Sequence, residues 1–583
     1  MFRRPKAKLR VWWNTVQFPA ESHQAIGETP PWTRRQEVKA TAVLVIACFA
    51  IMFPCLAYPL IEPDETRYTQ IALEMLDSRD WITPTIDGEP YLDKPPLMYW
   101  LTAISFSVFG ISEFAARAPS VLSAITTIFV VFGIGRRFIG PRGAWIGATA
   151  LLLSGGFVLA GRFLILDSML AFFTTLCLLS GYVAVRERRH RWAWWILAGV
   201  ACALGTLTKG PVALVLCAPP LIVSGWLRCD QTRTKISHWV AFVIPMLVMG
   251  VPWYCAVWKF NPEFGDYFFL EHNFNRFLNG SNHDQPFWFY LPILFAVMFP
   301  ASLLLPTLGV FLLSTNQRKR QLRTKDLGFL FSGTVWILLF FSLSSCKLPT
   351  YILPAIPLIC LMIGGMLDRT VFEPQKASRI TSFLKPFPQR AILILVSACV
   401  LIAGVDGWMN ESVDAVLILA IVACIAVTLA TLYARNRDLA FSWKGWAATA
   451  LAGLLVLSFT VARFIPTIAT TRSLYAKASR IAEQHPEDYV VFYGEKPHGA
   501  RLQLPFDRVI YFPKRSRDEF VTFVANHRHV IVLTSDEDIF ATRYALADTH
   551  ELVSVSDHEH LYAAQRLART AQRPKAFTIH AVR

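Results

Sequence analysis

Apolar runs of about twenty residues recur through the first four-fifths of this 583-residue chain, and a soluble fold has no place for so many of them. Roughly twenty apolar residues cross the hydrocarbon core of a bilayer as one helix, with the backbone polar groups satisfied inside it. Thirteen candidate spans can be read: 40–60, 114–135, 143–161, 167–185, 192–208, 211–227, 238–258, 287–312, 327–345, 351–367, 391–406, 414–434 and 446–464. A further apolar run, Leu97–Gly110, is short for a crossing and carries Tyr99, Trp100 and Phe106, so it reads as a helix lying in the outer interface. The expected fold is a polytopic α-helical membrane protein with about thirteen transmembrane helices and a long outer first loop.

Charge sorts the loops. With Leu97–Gly110 excluded, the basic clusters all fall on one side and hold 31 of the 41 Lys and Arg that precede residue 466. The positive-inside rule places that side, including the N-terminal segment 1–39, in the cytoplasm. Ala40–Leu60 reads as an uncleaved anchor, and 40–465 as the transmembrane domain. Thirteen crossings put residues 466–583 outside, and that tail holds 16 basic and 14 acidic residues. Within it, Tyr489-Val-Val-Phe-Tyr, Arg508-Val-Ile-Tyr-Phe and His529-Val-Ile-Val-Leu-Thr read as buried strands around a helical Ser516–Asn526, predicting a small extracytoplasmic α/β domain. The net charge of +16 therefore lies mostly in short loops that orient the chain and meet anionic lipid, which argues against nucleic acid as a partner. None of the eleven cysteines is in the tail, and most lie in or at the ends of apolar runs as small hydrophobes.

The outer side carries the chemistry. Ile61-Glu-Pro-Asp-Glu-Thr-Arg-Tyr supplies Asp64, Glu65 and Arg67 just past the first span. Asp64 reads either as a helix N-cap or as a base or anchor beside a low-dielectric wall. Lys94 precedes two prolines that hold its backbone extended. Asp167 opens the fourth span, where a carboxylate also suits the helix dipole. Lys209, in Thr208-Lys-Gly-Pro, stands at a turn with almost no loop. His272 and Arg276 are four apart and share a face if that stretch is helical, with His283 and Asp284 following. Lys347 and Tyr351 mark another outer turn. The cations Lys94, Lys209, Arg276 and Lys347 all face the side poor in basic residues, which implies an anion, and phosphate suits them best. There is no Walker loop and no dinucleotide fingerprint, so an activated group would arrive on a lipid phosphate.

Glu62-Pro-Asp-Glu-Thr-Arg-Tyr, Asp93-Lys-Pro-Pro-Leu-Met-Tyr-Trp, Thr208-Lys-Gly-Pro and Lys347-Leu-Pro-Thr-Tyr-Ile-Leu-Pro together resemble the aminoarabinose transferase (ArnT) branch of membrane C-type glycosyltransferases, close to protein O-mannosyltransferases. The resemblance implies transfer of a sugar, such as 4-amino-4-deoxy-L-arabinose, from a polyprenyl-phosphate donor to lipid A or another envelope acceptor, at the outer face of the bacterial inner membrane. It assigns catalytic and binding roles to Asp64, Lys94, Asp167, Lys209, Arg276, Lys347 and Tyr351, and contacts to a divalent metal such as Zn to Asp93 and His272. Asp93 stands where the family usually has Glu, one methylene longer. The rival readings are protein O-mannosylation, in which Asp64 would be essential as a base, and a lipid-phosphate transporter or flippase. The absence of paired repeats and of ionisable residues across the membrane speaks against transport.

Overall fold

The computed structural model describes residues 12–18, 32–61, 63–227, 234–279, 284–372, 384, 387–409 and 443–472, and in the tail 489–493, 509–512, 516–527, 530–533, 550–556 and 559–566. The chain forms two compact units, residues 1–60 with 67–469, and residues 61–66 with 470–583.

After a short helical turn at Trp12–Gln17, the first long helix of the membrane unit is α1, Arg34–Met52. Thr33 and Gln36 form a reciprocal capping box that starts this helix six residues before the expected run, and Pro54 disfavours helix at Phe53, so the expected span 40–60 becomes 34–52. Then follow α2 (Asp64–Ser78), α3 (Leu97–Phe109), α4 (Glu113–Leu152), α5 (Gly155–Arg162), α6 (Leu166–Arg186), α7 (Arg191–Lys209) and α8 (Val212–Leu227). The 13-residue α3 is about 20 Å long at 1.5 Å per residue, short of the hydrocarbon core. Inside α4, Gly140 takes φ 81° and ψ 164°, so the expected spans 114–135 and 143–161 meet there at a sharp break. The second of them stops at Leu152 and restarts as α5 after Ser154, at the weak helix formers Gly155-Gly156.

Among the described residues, seven helices are long and apolar enough to cross a membrane: α4, α6, Ile236–Phe260 (α9), Lys325–Leu343, Pro349–Phe372, Phe387–Trp408 and Trp443–Thr470. The expected single span 287–312 is instead two helices, Phe287–Val297 (α10) and Ala301–Leu313 (α11), bent by 112°. Pro300 at the junction cannot donate a helical hydrogen bond and disfavours helix at Phe299. Counting that pair once gives eight. The helices α7 and α8 occupy the expected positions but are more polar or shorter, and the expected span 414–434 lies outside the described residues. We number Lys325–Leu343 and Pro349–Phe372 as α12 and α13.

The second unit contains a five-stranded sheet in the order β4-β3-β5-β7-β6, where β3 is Tyr489–Tyr493, β4 Val509–Phe512, β5 Val530–Leu533, β6 His550–Ser556 and β7 Glu559–Arg566. Strand β3 runs parallel to β4 and β5, and β7 is antiparallel to β5 and β6. Phe520 and Val524 of helix Arg517–Asn526 pack with Val491, Tyr493, Val530 and Val532 in a small core. The β6–β7 pair has no counterpart in the sequence reading.

Two arginines with no exposed surface fix the exit from α1. Arg162 donates to the carbonyls of Ile51 (2.8 Å), Met52 (2.9 Å) and Pro54 (2.6 Å), capping the helix end where a cation suits the dipole. Arg117 donates to Leu56 and Tyr58 (both 2.6 Å) and Pro59 (3.1 Å), and its guanidinium stacks 3.7 Å over the Tyr58 ring. Arg162→Met should strand buried carbonyls, each costing about 1–3 kcal/mol. A thermal melt in detergent is expected to fall by several degrees, and an unchanged melt would contradict this account.

Candidate active site

Three short segments of the membrane unit carry the site. The first follows a hairpin between β1 (Thr85–Ile86) and β2 (Glu89–Pro90), where Asp87 (φ 58°) and Gly88 (φ 81°) form the two-residue turn that Asp-Gly favours. Glu74 of α2 holds this turn, accepting from Thr85 Oγ1 and Asp87 N at 2.7 Å each, Gln70 Nε2 at 2.9 Å and Gly88 N at 3.3 Å. Burial opposes ionisation of Glu74, yet these donors keep its carboxyl below the usual range. Trp100 and Trp253 Nε1 donate to the carbonyls of Trp81 (2.8 Å) and Ile82 (2.9 Å). The segment that leaves this fixed hairpin presents Asp93 and Lys94.

The second segment is the α7–α8 turn. Gly210 (φ 78°) ends α7, and a Cβ there would lie 2.9 Å from Phe268 Cζ, so glycine is required on both counts. Lys209 is thereby the last residue of α7. The third segment, Ser345–Tyr351, is stapled by Ser345 N to Phe277 O (2.9 Å), Ser345 Oγ to Leu278 O (2.6 Å) and Lys347 Nζ to Gln285 O (2.7 Å). It places Thr350 and Tyr351 in the first turn of α13.

These segments converge. The ammonium of Lys209 pairs with Asp167 Oδ1 and lies 4.0 Å from the centre of the Tyr351 ring. The other Asp167 oxygen accepts from Thr350 Oγ1 at 2.8 Å. Asp167 is therefore no mere helix cap: it ties α6 to α7 and α13. Lys94 Nζ hydrogen-bonds His272 Nε2, and the Tyr267 hydroxyl donates to Asp93. Lys94, Lys209, His272, Arg276 and Tyr351 line one cavity of about 80 Å³, walled by Val212, Phe277, Phe340 and Phe341. Water occupies about 30 Å³ per molecule, so the space suits a compact group of a few heavy atoms.

Its electrostatics favour an anion. Burial, then the charge of Lys209, pull the Lys94 ammonium down to about 7, with Arg276 adding to the effect and Asp93 and Asp167 opposing it. Burial and the Lys94 charge push His272 down to about 3, so its imidazole is neutral at pH 7. Burial works against Asp93, but the Tyr267 hydroxyl, the His272 ring and the Lys94 ammonium hold its carboxyl below the usual range.

Not every expected residue lies on the cavity. Lys347 is buried, with its ammonium on the Gln285 carbonyl. Arg67 hydrogen-bonds the Tyr91 side chain. Asp64 is the first residue of α2, and Glu65 accepts from Ile61 N at 2.8 Å; both belong to the second unit. His283 lies outside the described residues, and Asp284 pairs with Cys346 as a backbone bridge. For the metal, His272 Nε2 and the Asp93 carboxylate already have partners in Lys94 and Tyr267. Among the described residues no third Cys, His, Asp or Glu joins them as a ligand set, and three cations surround them. This arrangement does not fit a divalent ion. Sequence reasoning passed over Thr350, although it stands inside the Lys347–Pro354 motif, and also Tyr267, Glu74 and Phe340.

A helical membrane unit with a cationic, aromatic-walled cavity is suited to a glycosyltransferase that works on lipid phosphates. Residues 40–268 match the dolichyl-phosphate-mannose-protein mannosyltransferase family. The undecaprenyl phosphate-alpha-4-amino-4-deoxy-L-arabinose arabinosyl transferase 2 of Pseudomonas fluorescens is 31% identical over 458 residues, 77% of this chain and 78% of that one. The corresponding transferase of Pseudomonas savastanoi pv. phaseolicola is 34% identical over 424 residues, 71% and 76% of the two chains. The crystal structure of ArnT from Cupriavidus metallidurans bound to undecaprenyl phosphate shares the fold, with a TM-score of 0.67 at 24% identity over 92% of this chain and 99% of that one. The chain is a multi-pass membrane glycosyltransferase. It belongs to the undecaprenyl phosphate-aminoarabinose arabinosyl transferase family.

Lys94 gives a pH test. An anion in the cavity stabilises its charged form, so above pH 7 binding must take up a proton. Affinity for a polyprenyl phosphodiester, whose own charge is constant, should fall as pH rises from 7 to 9, by at most tenfold per unit. Lys94→Arg, charged throughout, should flatten the profile. Equal slopes in the two proteins, measured by calorimetry, would refute the assignment.

Proposed function

We propose that the chain moves 4-amino-4-deoxy-L-arabinose or a similar sugar from a polyprenyl-phosphate donor to lipid A or another envelope lipid. The observation that carries this reading is the gathering of Lys94, Lys209 and Arg276 in one cavity with Phe277, Phe340 and Phe341: cations for a phosphate beside apolar walls for a prenyl chain. An acceptor oxygen bonds to the anomeric carbon as the bond from that carbon to the phosphate oxygen breaks, and the electron pair leaves on the phosphate. The three cations stabilise that developing charge, and Tyr351 hydrogen-bonds a phosphate oxygen. Asp167 keeps Lys209 in place, and Lys347 fixes the loop that carries Tyr351. Asp64 takes the proton of a hydroxyl acceptor, or orients a phosphate acceptor that is already ionised; Glu65 and Arg67 shape the acceptor side. A metal such as Zn at Asp93 and His272 would first have to displace Lys94 and Tyr267.

Mass spectrometry of lipid A and envelope glycoproteins, from cells with and without the protein, tests this reading. An added amino-pentose on lipid A is expected. In a defined assay Lys94→Ala should lower the rate roughly a hundredfold, or about 3 kcal/mol of barrier, and a chelator should leave the wild-type rate unchanged. The match of residues 40–268 to the mannosyltransferase family supports one second reading, a protein acceptor. A hexose on glycoproteins with lipid A unchanged would favour it, and Asp64→Asn should then abolish transfer at every pH.

Residues 1–39 are placed in the cytoplasm, α3 in the outer interface, and the site and residues 466–583 on the periplasmic side of the inner membrane. The basis is the one-sided gathering of basic loops. A single cysteine introduced in the tail of a cysteine-free variant should react with a membrane-impermeant maleimide once the outer membrane alone is opened. Reaction only after the inner membrane is breached would invert the arrangement.

A further inference from the structure

Cys177, Cys202 and Cys217 come from three different helices, α6, α7 and α8, and their sulfur atoms all lie within 4.8 Å of one another. All three are essentially without solvent exposure. Small residues bring the helices this close: a Cβ on Gly205, three residues from Cys202, would lie 3.0 Å from Ala213 Cβ on α8 and 3.3 Å from Phe173 Cβ on α6. We propose that these three thiols form a site for one monovalent thiophilic metal ion, Cu(I), held between α6, α7 and α8 of the membrane unit.

The geometry favours this ion over commoner ones. Three sulfurs at about 2.3 Å from a central ion in a trigonal plane stand about 4 Å apart, so the cluster needs to close by less than an ångström. Soft sulfur donors select Cu(I) or Zn and reject Mg or Ca. Zinc in a closed site takes four ligands in a tetrahedron. Among the described residues no fourth Cys, His, Asp or Glu joins the three, which suits the three-coordinate ion. Charge agrees. One Cu(I) enters and one thiol releases one proton, leaving a neutral thiolate–dithiol complex with no electron transferred, which is the charge state a low-dielectric interior tolerates. Along their helices Cys177 lies ten residues beyond Asp167 and Cys202 seven before Lys209, about 15 and 10 Å at 1.5 Å per residue. A bound ion would clamp the same helices that present the Asp167–Lys209 pair.

The full-length protein, purified without oxygen in detergent, is titrated with Cu(I) buffered by a competing chelator and then gel-filtered. Wild type should retain one equivalent more than Cys177→Ser, Cys202→Ser or Cys217→Ser, with ultraviolet thiolate–copper absorption and a raised melting temperature. The double variant Cys55→Ser/Cys255→Ser, which removes two exposed thiols, should retain that equivalent. Alanine at the same three positions guards against misfolding, and copper X-ray absorption on wild type should report three sulfur neighbours whatever the variants do. Retention of the equivalent by any single variant at the three positions, equal retention of Zn(II) by wild type, or a copper shell lacking three sulfurs would each overturn the site and leave the cysteines as packing.

Discussion

The ion pair between Asp167 and Lys209 is the contact on which the site's geometry depends. Two charges at the edge of a membrane interior lose hydration, and their attraction compensates only if the remaining valences are filled. Here they are filled, by the Thr350 hydroxyl on the carboxylate and the Tyr351 ring beneath the ammonium. The start of α6, the end of α7 and the first turn of α13 are fixed to one another through four side chains. Loss of either partner would leave a buried charge without its counterion.

Around that pair the outer loops are built by polar groups that satisfy backbone. Arg162 and Arg117 occupy the carbonyls between Ile51 and Pro59, where the chain leaves α1, and Glu74 fills the donors of the Asp87-Gly88 turn. Unsatisfied, those groups would be costly at the membrane boundary. Satisfied, they turn long loops into rigid mounts. Lys94 leaves such a mount at a fixed angle, and its two prolines add stiffness.

The cavity gathers Lys94, Lys209 and Arg276 on one lining. Lys94 is held near neutrality by burial and by Lys209, and His272 stays uncharged beside it. On the proposed reading, an incoming phosphate would recharge Lys94 and lie beside Arg276. Two of the helices joined by the ion pair, α6 and α7, also carry Cys177 and Cys202 of the thiol cluster.

Composition alone determined that this chain lives in a membrane, because runs such as 167–185 and 351–367 have no other favourable environment, and both are helices in the structure. Charge and spacing also marked Lys94, Lys209 and Arg276 as cations of one face, and they meet in one cavity. The break at 299–300 was carried by Pro300 but outweighed by the apolar run around it. Lys347 resembled its fellow cations in sequence, yet its ammonium is satisfied by a carbonyl 62 residues away. Thr350 on Asp167, 183 residues apart, and Tyr267 on Asp93, 174 apart, were likewise beyond local reading. Hydropathy and charge are properties of each residue and survive in the linear order. Which polar atom satisfies which is decided only when distant segments pack, because a buried donor takes the acceptor that the fold brings within reach.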